Sequence, residues 1–303
     1  MNYIIGLLLA LTTFSAHAQD SSGRSELAVP TDAAVSPVVS TLSRSEFFYL
    51  PGRHRSTTEI SFTSMSNSIA AQSLRNGETG LLKQTAEAYA FHYIYGFNDS
   101  LHLVIDAGFL NSKGTFADQN YKTSGLTDFG LTLLKRKTYA NWNLIYGAKA
   151  TLSPEDAKQA SADSVGSNFS GAQGLAPFIG AEVGASGGNV FGLKFSLPFQ
   201  ILPASGGTSS DLNYARSRNV HVDGTAFYEY PLYRQADLGL ALSFTENDFR
   251  LAAGSRDYTA RAYTTIHLAE DAAVRLAVEG TSSAGPTVGQ NSTQLSAAFR
   301  RTL

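Results

Sequence analysis

The sequence contains no cysteine, which leaves no disulfide framework, no thiolate metal site and no lipobox for a lipoprotein anchor. After its first eighteen residues it has no uninterrupted apolar run of the roughly 20 residues that a spanning helix needs, so a bundle of transmembrane helices is excluded. It lacks a charge imbalance: 23 Lys and Arg against 25 Asp and Glu give a net charge of -2, and without a basic stripe a nucleic-acid partner is not expected. It also lacks ligand spacing. The six histidines, at 17, 54, 92, 102, 221 and 267, fall into no metal pattern, the carboxylates form no calcium loop and no phosphate-cradling loop leads into a helix, so no metal or cofactor is expected. Tryptophan occurs once, but 18 Phe, 14 Tyr and 27 Gly make a composition suited to strands with aromatic girdles.

The 303 residues allow one or two domains. Met1-Asn2-Tyr3, an apolar run from Ile4 to Phe14, and Ala16-His17-Ala18 before Gln19 have the layout of a cleavable signal peptide over residues 1–18, although the leading segment carries only the α-amino charge. Residues 19–56 show no period and are rich in Ser, Ala and Pro, reading as a periplasmic N-terminal segment that is either flexible or folded back as a plug. Within it, Phe47-Phe48-Tyr49-Leu50 is too apolar to stay solvated.

From Thr57 onward, two-residue alternation recurs in twelve segments: 57–65, 84–97, 100–112, 124–137, 141–152, 174–186, 189–200, 218–231, 235–245, 256–268, 271–281 and 292–302. In 100–112, Leu101, Leu103, Ile105, Ala107 and Phe109 alternate with His102, Val104, Asp106 and Gly108; in 189–200, Phe191, Leu193, Phe195, Leu197 and Phe199 alternate with Gly192, Lys194 and Ser196. Short connections at Asn98-Asp99, 138–140, 186–189, Tyr233-Arg234 and Glu270-Asp271 alternate with long ones at 66–83, 113–123, 153–173, 201–217, 246–255 and 282–291. Short periplasmic turns, long external loops and an even strand count predict an all-β, transmembrane, antiparallel up-and-down barrel of about 12 strands over residues 57–303. Tyr95, Phe97, Tyr139, Trp142, Tyr228, Tyr230 and Tyr233 cluster beside the short turns and are predicted to form the periplasmic membrane-interface girdle.

Two stretches carry a resemblance. Tyr93-Ile94-Tyr95-Gly96-Phe97-Asn98-Asp99-Ser100-Leu101-His102-Leu103 resembles a hairpin of porin-like families. Gly125-Leu126-Thr127-Asp128-Phe129-Gly130-Leu131 is similar to a strand in barrels of the phenol-degradation (MetA-pathway) and FadL-like transporter group. The resemblance implies a bacterial outer-membrane channel or transporter that passes small, often apolar, molecules. At the C-terminus, Leu295, Ala297, Phe299 and Leu303 keep an outward apolar phase that Arg301 interrupts.

The residues predicted to line the pore are His92, His102, Asp106, Asp128, Lys149, Glu182, Lys194, Asp223, Glu229, Arg261, Arg275 and Glu279, with Arg300 on the same inward phase. Turn geometry predicts Glu182 opposite Lys194, around Gly188, and Arg261 opposite Glu279, around Glu270. Such mixed charges either set solute selectivity or fill the interior as cross-strand pairs, and a barrel of this size favours a narrow or gated lumen over a wide porin. Partners expected are outer-membrane lipid and lipopolysaccharide, the barrel-assembly machinery and a small-molecule solute, in the outer membrane of a Gram-negative bacterium. Two other readings stand beside the channel. One is a lipid or lipopolysaccharide hydrolase, for which His102, Asp106 and Ser186 (in Gly184-Ala185-Ser186-Gly187-Gly188) are the candidates. The other is a non-conducting structural or adhesion barrel.

Overall fold

The computed structural model describes residues 45–72, 79–116, 119–154, 166–168, 173–202, 221–233, 235–246, 256–284 and 290–303. The expected signal peptide, residues 19–44 and the centres of most long connections lie outside the described residues.

Alternation produces a closed sheet. The strands are β1 (Ser56–Gln72), β2 (Thr79–Gly96), β3 (Leu101–Phe116), β4 in two pieces (Gln119–Thr127 and Phe129–Thr138), β5 (Trp142–Leu152) and β6 (Gln173–Gly184). The second half comprises β7 (Val190–Ser196, continued by Phe199–Leu202), β8 (Val222–Tyr233), β9 (Ala236–Glu246), β10 (Arg256–Ala269), β11 (Ala272–Ala284) and β12 (Gln290–Thr302). Each pairs antiparallel with its neighbours in the chain, and β12 returns to β1 from Thr57↔Thr302 to Ile69↔Gln290. The result is an all-β, twelve-stranded, closed antiparallel barrel, which satisfies the strand hydrogen bonds without leaving a free edge.

Side chains divide between two surfaces along every strand. In β9, Leu238, Leu240, Leu242 and Phe244 face out and are exposed, while Asp237, Gly239 and Ala241 face in and are buried. The same rule exposes Ile60, Phe62, Tyr89, Phe91, Leu131, Leu133, Phe191, Leu193 and Phe195, giving the barrel a continuous apolar outer belt. Such a belt is far too large for a monomer in water. On β12, Leu295, Phe299 and Leu303 face out, and so does Arg301, whose Nε lies 3.4 Å from Asp271 in the neighbouring turn. The interruption in the apolar phase is thus a rim ion pair.

The five short connections fall at one end. The first is set by Asn98, whose Oδ1 accepts from the N–H groups of Ser100 and Leu101 at 2.9 Å each. The opposite end departs from expectation. The connections predicted at 66–83 and 113–123 are largely strand and the one at 282–291 is strand at both its ends: ladders continue to Gln72↔Thr79, to Phe116↔Gln119 and to Ser283↔Gln290. Beyond the apolar belt, Ser, Thr, Asn and Lys occupy both faces, so the amphipathic signal vanishes while the backbone ladder goes on.

β4 carries a bulge. β3 pairs Phe109↔Leu126 but Asp106↔Gly130, so four steps on β4 oppose three on β3, and Thr127 and Gly130 both turn inward. The outer half of β4 pairs on its far side with a three-residue strand, Gly166–Asn168, in parallel. Buried Asn168 donates from Nδ2 to the carbonyls of Leu110 (2.6 Å) and Gly125 (3.0 Å), tying this connection to the bulge.

Candidate functional site

The interior at the short-turn end is occupied by residues 45–51. Phe47 stacks on Phe227 of β8 with ring centroids 4.2 Å apart, and Phe48 meets both rings edge-on. Glycines make the room: a Cβ on Gly180 would lie 2.5 Å from Phe48 Cζ, and one on Gly192 would lie 2.2 Å from Phe227 Cζ. The rings join Leu50, Ile94, Val104, Leu134, Ile145, Val190, Ala241 and Tyr263 in one buried cluster. Burying a Phe or Leu side chain stabilises by about 1.5–3 kcal/mol, so the run that could not stay solvated has found its core. The chain leaves this site through a tight turn in which His54 has φ 56° and donates its N–H to Gly96 O at 2.7 Å. Gly96 admits the crossing because a Cβ there would lie 2.5 Å from Gly52 O.

Polar anchors surround this apolar contact. Glu46 is 1% exposed and accepts from Arg300 Nη1 at 2.8 Å and Nη2 at 3.2 Å, and the same guanidinium lies 4.1 Å over the Tyr49 ring. Tyr49 in turn bonds through its hydroxyl to Thr302. Arg275 sits 3.4 Å from Glu59 and 3.9 Å from Glu46. Glu229 accepts from the N–H groups of Glu46 (2.6 Å) and Phe47 (2.8 Å) and from the Tyr263 hydroxyl (2.5 Å). Glu182 accepts from the Ser45 hydroxyl and from Asn143 Nδ2 at 2.6 Å. His102 donates from Nε2 to Pro51 O at 2.9 Å. Charge-assisted hydrogen bonds of this kind contribute about 1.5–3 kcal/mol each, and their loss exposes the desolvation cost of the partner.

The other charges expected to face inward form separate groups. Asp106 lies 2.5 Å from His92 Nδ1 and 2.8 Å from Lys149 Nζ. Arg261 stands directly opposite Glu279, as expected, and both border a polar cavity of about 20 Å³ with Glu59, Arg275 and Gln294, room for about one water. Asp223 accepts from Ser196 Oγ at 3.0 Å, and Asp128 lies half-buried at the β4 bulge.

The predicted register, with Glu182 directly opposite Lys194, does not form. Glu182 opposes Gly192 and Lys194 opposes Gly180, because the turn is built around Gly187 and Gly188 at φ 77° and 81° and closes on Gly184↔Val190, two residues out of the expected register. Lys194 instead lies over the Phe178 ring at 5.3 Å.

The hydrolase set is not assembled either. His102 and Asp106 are four residues apart on one strand, roughly 13 Å, and His92, directly across from Asp106, takes the carboxylate. His102 is fully buried under Pro51, and Ser186 opens a 3-10 turn between two strands in place of a strand-to-helix elbow.

Glu46, Asp237 and His267 are the one group among the described residues close enough to hold a metal ion: His267 Nε2 is 2.8 Å from Asp237 and 3.9 Å from Glu46. Both Glu46 oxygens are already engaged by Arg300, and two guanidinium groups beside the carboxylate oppose a cation. Glu46, Glu59, Asp237 and His267 were missed as site residues. For Glu59 and Asp237 the signal was present, since each holds the inward phase of its strand one residue before an outward apolar side chain, Ile60 and Leu238.

The aromatic residues expected at an interface lie by the short turns. Tyr139 and Trp142 stack at 4.1 Å, Tyr95 and Phe97 pack edge-on at 5.2 Å, and Tyr228 and Tyr230 are exposed on the outer face. Tyr233 ends β8, with its side chain outside the described set.

No family model and no curated protein matches the sequence. Solved structures do. The chain is similar to an outer membrane channel from Pseudomonas putida F1, with 15% identity over 84% of this chain and 97% of that one and a TM-score of 0.60. It is also similar to the β domain of the Bordetella autotransporter BrkA, with 10% identity over 82% and 100% of the two chains and a TM-score of 0.51. At these identities the likeness is one of fold, the closed antiparallel barrel.

Proposed function

We propose that the protein is an outer-membrane channel or transporter for small molecules whose own N-terminal segment narrows or gates the periplasmic end. The observation that carries this reading is the seating of Ser45–Pro51 among inward-facing groups of β2, β3, β6, β8 and β12. The outer apolar belt supports a membrane setting, and the aromatic residues at the short-turn end act as its periplasmic girdle. The inward charges, among them Asp106, Lys149, Arg261 and Glu279, line the remaining path and set its selectivity. Lipid and lipopolysaccharide are the partners of the belt, and the barrel-assembly machinery recognises β12.

The test is conductance in a planar bilayer. The wild-type chain passes little current, and Phe47→Ala/Phe48→Ala, which removes the apolar seat, raises single-channel conductance several-fold while the unboiled protein keeps its barrel mobility on a denaturing gel. If neither protein conducts, the reading gives way to a sealed structural or adhesion barrel. Purification from the soluble periplasm without detergent would remove the membrane setting altogether.

A further inference from the structure

On the outer surface beyond the apolar belt, at the end away from the short turns, charge is not balanced everywhere. On β9 and β10 the outward charges neutralise one another, with Arg256 Nη2 3.1 Å from Glu246. Among the described side chains of β2, β3 and β4 they do not. Lys113 of β3 stands directly opposite Lys122 of β4, and Lys83 of β2 stands opposite Thr115, two residues further along β3. All three lysines are exposed, and none has an ion pair among the described residues. Glu87, the outward carboxylate on β2, is opposite Asn111 and pairs with none of them.

Like charges directly opposite on adjacent strands repel and destabilise the ladder. A shared anion between Lys113 and Lys122 removes that repulsion. What lies beneath them narrows its chemistry. Descending from the lysines, Asn111 bonds to Ser124, and then Phe109 faces Leu126 beside exposed Tyr89 and Phe91. Four residues separate Lys113 from Phe109; at about 3.4 Å per residue and a strand tilt of about 40°, that puts the ammonium groups roughly 10 Å above the top of the apolar belt. An amphiphile lying along this face therefore has acyl chains against the rings and its headgroup at the lysines.

We propose that Lys83, Lys113 and Lys122 form a binding site for the phosphate groups of an outer-leaflet glycolipid. The proposal rests on the membrane reading above and adds a defined lipid site to it. Each lysine at a membrane surface strengthens binding of anionic lipid about fivefold. A free phosphate ion would gain only the charges, and the glycolipid gains the apolar rows as well.

The full chain in zwitterionic detergent is titrated with diphosphorylated lipid A, and bound lipid is counted by native mass spectrometry. The expected result is one tightly held lipid A whose Kd rises at least tenfold in Lys83→Gln/Lys113→Gln/Lys122→Gln. Lys113→Arg/Lys122→Arg keeps the affinity, and Lys135→Gln/Lys137→Gln, outward at the opposite end, leaves it unchanged. Dephosphorylated lipid A binds the wild type no better than the triple variant binds the phosphorylated form. Equal affinity in wild type and triple variant overturns the proposal, as does displacement of lipid A by millimolar inorganic phosphate, which would make the site one for a free anion. Unchanged heat-dependent mobility verifies the fold of each variant. Failure of the protein to insert into lipid vesicles sinks the membrane reading, whereas insertion with unaltered lipid A binding in the triple variant sinks the lipid site alone.

Discussion

Arg300 and Glu46 show how one residue pair can hold a whole segment. Both are buried, and removing the guanidinium leaves a carboxylate in the interior with Arg275 and His267 each 3.9 Å away. Arg300→Met is expected to destabilise the seated segment by about 3–5 kcal/mol, and Glu46→Gln/Arg300→Met to recover part of that loss, because the second change removes the stranded charge. Proteolysis at residues 45–55 in the folded, detergent-solubilised barrel reads the difference; equal cutting of wild type and Arg300→Met would count against the pair as the latch. Gly192 makes a separate test. A methyl there meets the Phe227 ring at 2.2 Å, so Gly192→Ala should cost about 1–3 kcal/mol in a urea titration from lipid vesicles. At this scale the sequence was legible where alternation alone decides orientation, which is why Glu182, Glu229, Arg275 and Asp106 are all buried and inward. Partners were less legible. Which acid meets which base depends on register and on a segment that crosses the interior, and neither leaves a periodic trace. Glu46 and Glu182 found their partners through residues far apart in sequence, 254 and 137 positions away.

At the scale of the element, register is the quantity that short turns set and that glycine can move. The Glu270-Asp271 turn closes on Ala269↔Ala272, and a one-residue register shift between His267 and Ala269 then brings Arg261 opposite Glu279. The Gly-rich connection at 185–189 closed two residues away from the expected register, since consecutive glycines accept left-handed φ at either position. The β4 bulge is a further register device. Below it Leu131 and Leu133 face out, above it Leu126 faces out, and the odd spacing between them is absorbed by the extra residue. Deleting Asp128 leaves three steps on β4 opposite three on β3, so the alternation runs unbroken from Leu126 to Leu131 and both ladders keep their partners. The expected outcome is a normal heat-modifiable barrel band, and loss of that band would show that the bulge does more than absorb one residue. Asn168→Ala acts on the same place from the neighbouring connection. It withdraws a buried side-chain donor from two carbonyls, for about 1–3 kcal/mol, and should appear as faster amide exchange confined to 109–126.

At the scale of the whole molecule, the barrel turns the usual arrangement of a soluble protein around. Its exposed surface holds Leu193, Leu240, Leu242, Ile179 and Phe195, and its centre holds Glu46, Arg300, His102 and Glu182. In water that distribution has no stable solution. In a bilayer it does, because hydrocarbon receives the belt while closure gives each strand a hydrogen-bonded neighbour on both sides. The consequence is a depth-dependent response to charge that no soluble fold would give. Leu240 lies in the middle of the outward row from Leu238 to Phe244, so Leu240→Arg should cost about 2–4 kcal/mol in reversible urea unfolding from lipid vesicles. Leu303 is equally apolar and more exposed, at 70% against 52%, but it ends the chain at the rim beside the Arg301–Asp271 pair. Leu303→Arg should cost about 0–1 kcal/mol. In water both side chains would be solvated and either substitution would cost within about 0.5 kcal/mol, so near-equal small penalties would reject the membrane assignment of the belt, and a large penalty at Leu240 alone follows only if hydrocarbon surrounds the middle of the barrel.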